Sequence, residues 1–264
     1  MKKGIFIFAT AFFLWQCATV PITGRKQMKL LPSSQLQSMS LTQYDQFKQE
    51  NKVLPDSDPR VKMVKKVGAK ISVAVNQFLQ DNNMKDRLKE FNWEFNVTEQ
   101  NVVNAWCMPG GKVMFYTGIL PVCDGEEGIA TVMGHEIAHA VARHGNERMS
   151  QGLAVQAGGM ALSVAMQEKS EMTQNLFLSS YGIGSQLGVL KYSRLHESEA
   201  DKMGLVFMAM AGYEPGVAVN FWQRMADKKG GGAPPEFLST HPSDETRIKD
   251  IQNFLPKART YLKQ

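Results

Sequence analysis

Hydrophobic positions along the chain change period several times, and each change marks an element. Behind Lys2 and Lys3, residues 4–15 carry no charge, and the apolar run stops just short of Cys17. That is the layout of a secretory leader, since a membrane span needs roughly 20 apolar residues. Residues 1–16 are therefore read as a signal peptide. Residues 18–32 hold two prolines, a glycine and three basic residues without periodicity. With Cys17 they read as a tether, 17–32, that leads to a domain over 33–264 or packs across its surface.

After Asp58-Pro59, a cap followed by a proline suited to a first helical turn, apolar residues recur at Val61, Val64, Gly68, Ile71, Val75 and Phe78. This predicts an amphipathic helix of about five turns. The period then falls to two: Phe91, Trp93, Phe95 and Val97 alternate with polar residues, as in a half-buried strand. Further strands over 102–106 and 112–117 flank the turn Pro109-Gly110-Gly111. From Asp124-Gly125 onward the pattern is helical, with breaks expected at 182–184, 212–215 and 230–235. The fold class is α+β, mostly helical, with a small sheet ahead of a long helix. Residues 149–167 contain no charged residue, yet three glycines, three glutamines and two serines make a poor membrane span. A buried helix or a mobile flap of small residues is expected there, with contact at a membrane surface as the alternative.

Composition adds boundaries rather than detail. A chain of 264 residues, 43% hydrophobic and 21% charged, makes a globular core and excludes a disordered tail, a collagen or a disulfide knot. Without the leader the formal charge falls from +5 to +3, too small to argue for nucleic acid as a partner. Beyond Cys17 only Cys107 and Cys123 remain, and two free buried thiols are expected.

The chemistry lies in GHEIAHAVARHG, where His135, Glu136 and His139 make a His-Glu-x-x-His pattern. Helical residues four apart sit about 40° from each other around the axis, so both imidazoles can bind one zinc ion. Glu136, about 100° from His135, reaches a water at the metal without being a ligand, as a general base does. A third ligand is required, and His144, His196, Glu197 and His241 compete. His144 lies about 140° around the helix from His139 and is expected at the surface or behind the ligands. Glu197 and Asp201 share one helix face, so Glu197 can complete the ligands while Asp201 accepts the outer N–H of a ligand histidine. The strand at 112–117, with Val113, Met114, Phe115 and Tyr116, is read either as an edge to which substrate adds or as a buried core strand.

CATVPITGRKQ, NAWCMPGGKVMFYTGIL, HEIAHAVARHG, ESEAD and STHPSDETR occur in this order over nearly all of the mature chain. Together they resemble the zinc peptidase family that includes HtpX and the CaaX-prenyl protease, and within it the periplasmic BepA-like and LoiP-like lipoproteins. The resemblance implies a gluzincin-type domain with one zinc held by His135, His139 and Glu197, and Glu136 as base. It also implies that His241 lies near the metal, stabilising the transition state or gating the open position. Cys17 would be lipidated, although Gln16 departs from the small residue that pattern carries. Expected partners are then polypeptides, the membrane through the lipid, and the outer-membrane assembly machinery. The expected location is the periplasmic side of a bacterial membrane, as an outer-membrane lipoprotein. The function implied is envelope protein quality control, and the competing reading is a chaperone-like protein with a latched, rarely active zinc site.

Overall fold

The computed structural model of the chain describes residues 17–228, 235–242 and 245–262; the leader and the glycines at 230–232 lie outside them. In chain order the elements are β1 (Cys17–Thr19), β2 (Lys26–Met28), α1 (Ser33–Glu50), α2 (Pro59–Asp81), β3 (Glu94–Thr98), β4 (Ala105–Met108) and β5 (Lys112–Tyr116). There follow α3 (Leu120–Cys123), α4 (Glu126–Val141), α5 (His144–Ala165), α6 (Glu171–Met210), α7 (Val217–Asp227), α8 (Glu236–Thr240) and α9 (Glu245–Arg259). The fold is mostly helical with a small mixed sheet ahead of the long helices, as expected. The described residues fall into two compact units: those of 17–32 with 143–196, and those of 33–142 with 197–262.

In the second unit Asp58 caps α2 by accepting from the Arg60 N–H at 2.8 Å, and Pro59 occupies the first turn. The six residues of the predicted apolar stripe are all buried. Gly68 belongs to that stripe because the Phe95 ring presses on it: a Cβ there would come within 2.5 Å of the ring. The sheet runs β3-β5-β4, with β3 parallel and β4 antiparallel to β5. β5 is the middle strand and each of its five residues is buried. This overturns the edge reading of Val113, Met114, Phe115 and Tyr116, whose strand is paired on both sides and whose side chains fill the core. Met114 and Tyr116 pack with Tyr44 of α1 on one face, and Phe95, opposite Val113, covers α2 on the other. The outer side of β3 is bridged by Val53 at Thr98, so β4 is the freer edge.

α4 starts after Asp124 and Gly125, both at positive φ, and carries Glu126 and Glu127 in its first turn, where the helix dipole favours acids. It is buried along nearly its whole length, as a helix apolar on all sides must be.

In the first unit, residues read as an aperiodic tether form the β1–β2 hairpin, with Cys17 opposite Met28. Arg25 donates to both carboxylate oxygens of buried Glu147 at 2.8 and 2.7 Å, and Gln27 adds a bond at 3.3 Å. A two-pronged charged pair of this kind orders a segment that has no hydrophobic period of its own. α6 runs unbroken through 182–184, against the expectation; two helical glycines cost only about 2 kcal/mol, which a 40-residue helix absorbs. Residues 149–165 are helical but largely exposed, not a buried helix.

Candidate active site

Three separate stretches of the second unit converge on one point. His135 and His139 come from the last turns of α4, with their Nε2 atoms 3.1 Å apart. Glu197 on α6 places Oε2 3.4 Å from His135 Nε2 and Oε1 3.3 Å from His139 Nε2. His241, just past α8, sets its Nδ1 3.1 Å from His135 Nε2 and 2.9 Å from Glu197 Oε2. One ligand atom from each of the four lies within 4.8 Å of the others.

Backbone contact brings the two ligand helices together. A Cβ on Gly204 of α6 would lie 2.9 Å from the His135 nitrogen, and one on Gly134 would lie 2.9 Å from the Gly204 carbonyl oxygen. Only glycine permits that approach. The Phe237 N–H donates to the Val103 carbonyl at 3.0 Å and Asn104 Nδ2 donates to Glu236 at 2.8 Å, which pins α8 and with it His241.

Asp201 accepts from His135 Nδ1 at 2.9 Å, which turns the Nε2 lone pair toward the cluster. Arg247 grips Asp201 with two bonds of 2.8 and 2.7 Å, and its guanidinium lies 3.4 Å over the Trp222 ring. Burial opposes ionisation of Asp201, yet Arg247 and His135 outweigh it and lower the pKa. For Glu197 burial is again opposed, by His139 and by hydrogen bonds to the histidines, and its carboxyl is held well below the usual range. Burial alone would lower the His135 pKa, but Asp201 and Glu197 raise it to about 9. Glu136 is pushed up, chiefly by burial. Its Oε1 is 3.3 Å from His241 Nε2 but accepts no hydrogen bond.

This donor set fits a divalent metal. Tetrahedral zinc with bonds of about 2.0–2.1 Å separates its ligand atoms by roughly 3.3–3.4 Å; the five contacts given above are 2.9–3.4 Å, and the four ligand atoms all lie within 4.8 Å of one another. Two imidazole lone pairs facing at such a distance repel unless a proton or a cation sits between them. Arg247 pairs with Asp201 and lies 3.3 Å from Glu197, while the orphaned Oε1 of buried Glu136 stands beside the cluster.

The structure thus brings together His135, Glu136, His139, Glu197, Asp201 and His241. His144 and His196 stand outside the cluster: their rings stack on each other at 4.3 Å in the first unit, and His196 Nε2 lies 2.8 Å from Glu147. His144 is fully buried rather than at the surface. Cys107 and Cys123 are free thiols, the first only partly buried. Arg247 and Trp222 escaped the sequence reading; Arg247 closes the STHPSDETR string, but nothing in one sequence ties it to Asp201.

Residues 67–255 match the profile of Peptidase family M48. The chain is 32% identical to the mitochondrial metalloendopeptidase OMA1 of Schizosaccharomyces pombe over 91% of its own length and 67% of the relative's. It is 30% identical to human mitochondrial metalloendopeptidase OMA1 over 94% of this chain and 47% of that protein. The beta-barrel assembly-enhancing protease of Yersinia pestis matches at 30% over 61% of this chain and 34% of its own length. The chain therefore spans between about a third and two thirds of these relatives. Carrying both the family's profile and a buried His-His-Glu cluster built for a metal, the chain belongs to peptidase family M48 and is a metalloendopeptidase.

Proposed function

We propose that this protein is a zinc endopeptidase acting on misfolded or misassembled cell-envelope proteins, held by a lipid on Cys17 at the periplasmic side of a bacterial outer membrane once residues 1–16 are removed. The observation that carries the catalytic part is the meeting of His135, His139, Glu197 and His241 within 4.8 Å beside a buried, unpartnered Glu136 oxygen. The envelope role is supported by the assembly-enhancing protease among the relatives, and the lipid anchor by the leader layout ahead of Cys17.

One zinc would be held by His135, His139 and Glu197, and when bound it supplies a Lewis acid that polarises the scissile carbonyl and acidifies the attacking water. Glu136 Oε1 takes that water's proton and returns it to the leaving amine; burial raises its pKa toward that of a working base. Asp201 fixes the tautomer of His135, and Arg247 fixes Asp201. An extended substrate adds to β4, the freer edge, whose Cys107 backbone lies against Glu136. A second reading, a latched site, is favoured by His241 Nδ1, which stands as a fourth donor 2.9 Å from Glu197.

Zinc content and casein cleavage of the full chain test both readings. Wild type and Glu136→Gln should each carry one zinc, with cleavage in the wild type alone. Cleavage retained in Glu136→Gln, or no zinc in the wild type, contradicts the proposal. A His241→Ala chain that cleaves faster than wild type supports the latch; one that cleaves slower gives His241 the transition-state role.

A further inference from the structure

The first unit carries an apolar surface that the peptidase chemistry does not use. On α5, Met149, Leu153, Met160 and Val164 recur at intervals of four, seven and four, which confines them to an arc of about 60°. On α6, Met172, Leu176 and Ile183 recur at four and seven, an arc of about 40°. These are not core positions: Met160, Val164, Met172, Leu176 and Ile183 are 61–82% exposed. The helices are joined by other faces, where the Tyr181 hydroxyl donates to the Val155 carbonyl at 2.9 Å and Gly158 lies under the Tyr181 ring.

Charge follows the same division. Residues 149–167 and 172–190 contain no Asp, Glu, Lys or Arg. The turn between the helices holds Glu168, Lys169 and Glu171, and the base of the pair holds exposed Arg148, Lys191 and Arg194. The acid at that base, Glu147, is buried and bound to Arg25. Among the described residues no helix is long and apolar enough to cross a membrane, and a charged turn resists being carried through one. Exposed apolar stripes with a cationic border are the signature of a helix lying in the bilayer interface, where the apolar side chains reach the acyl boundary and the cations meet phosphate.

We propose that α5 and α6 lay this double stripe on an anionic phospholipid surface, independently of any lipid on Cys17. The test uses the full chain with photoreactive benzoylphenylalanine at Met160, Met172 or Ile183, and at exposed Lys62 of α2 as control. The probe is vesicles of phosphatidylethanolamine with phosphatidylglycerol. Lipid adducts should form at the three stripe positions at least tenfold above Lys62. Adding Met160→Gln with Leu176→Gln removes about tenfold in partitioning per side chain, about a hundredfold together, so adducts at Ile183 should fall to the Lys62 level while the circular dichroism stays unchanged. Adduct yields no higher than at Lys62 overturn the proposal, as do yields unaffected by the double substitution. Crosslinks from the stripe to a second chain instead of lipid would also overturn it, assigning the surface to self-association.

Discussion

Gly204→Ala tests the claim that direct backbone contact between α4 and α6 sets the metal-ligand geometry. The added Cβ would sit 2.9 Å from the His135 nitrogen, where ordinary contact begins near 3.4 Å, so the helices must part by about half an ångström. Overpacking of this kind costs about 1–3 kcal/mol, a fall in Tm of roughly 2–12 °C for a chain of this size. Ligand positions tolerate only about 0.2 Å, and the displaced pair is His135 and Glu197. Zinc affinity should therefore drop by about ten- to a hundredfold, read by competition with a chromophoric chelator. Gly152→Ala is the control, because a Cβ on that exposed helical glycine meets nothing within 4 Å; it should keep full affinity and gain up to about 1 kcal/mol. If Gly204→Ala behaves like Gly152→Ala in both measurements, the contact does not position the site.

Three more perturbations follow from the buried charges. Arg247→Ala strands the Asp201 carboxylate in the interior and should cost about 3–5 kcal/mol by urea unfolding; Arg247→Lys, which keeps the charge but loses the planar fork, should fall between that and wild type. Glu197→Ala should abolish stoichiometric zinc, measured by plasma emission, and full zinc content would remove Glu197 from the ligand set. Burial works against the charge on Glu147, but Arg25 and His196 hold its carboxyl at about 2 rather than 4.5. Because the folded pKa is the lower one, this stabilisation is complete above pH 4.5 and is lost as pH falls toward 2; it is worth at most about 3 kcal/mol. Glu147→Gln should flatten the dependence of the urea midpoint over that window, and an unchanged slope would show that the Arg25 pair contributes nothing.

Local pattern carried the legible part of this fold. The α2 stripe and its Asp58 cap were readable because helix period and capping chemistry are properties of neighbouring residues, and the same holds for the His-Glu-x-x-His helix. Strand order is not local: the pattern at 112–117 suits a core strand as well as an edge, and only the pairing of β5 with both β3 and β4 decides it. Glu197 and Asp201 were found through their spacing of four, whereas Arg247 reaches Asp201 across 46 positions and leaves no periodic trace. The packing of residues 17–32 leaves no local trace for a similar reason, since it rests on long-range contacts such as Arg25 with Glu147 and the Leu30 N–H with Ser150. At 182–184 glycine content predicted a break, and the continuity of α6 overrode it.

The central claim is that one zinc ion sits among His135, His139 and Glu197. Anomalous diffraction from crystals of the full chain, collected on both sides of the zinc absorption edge, tests it most directly. A single edge-dependent peak about 2.0–2.2 Å from His135 Nε2, His139 Nε2 and a Glu197 oxygen is the predicted result. A peak held by other residues, or none in a chain that cleaves casein, would contradict it.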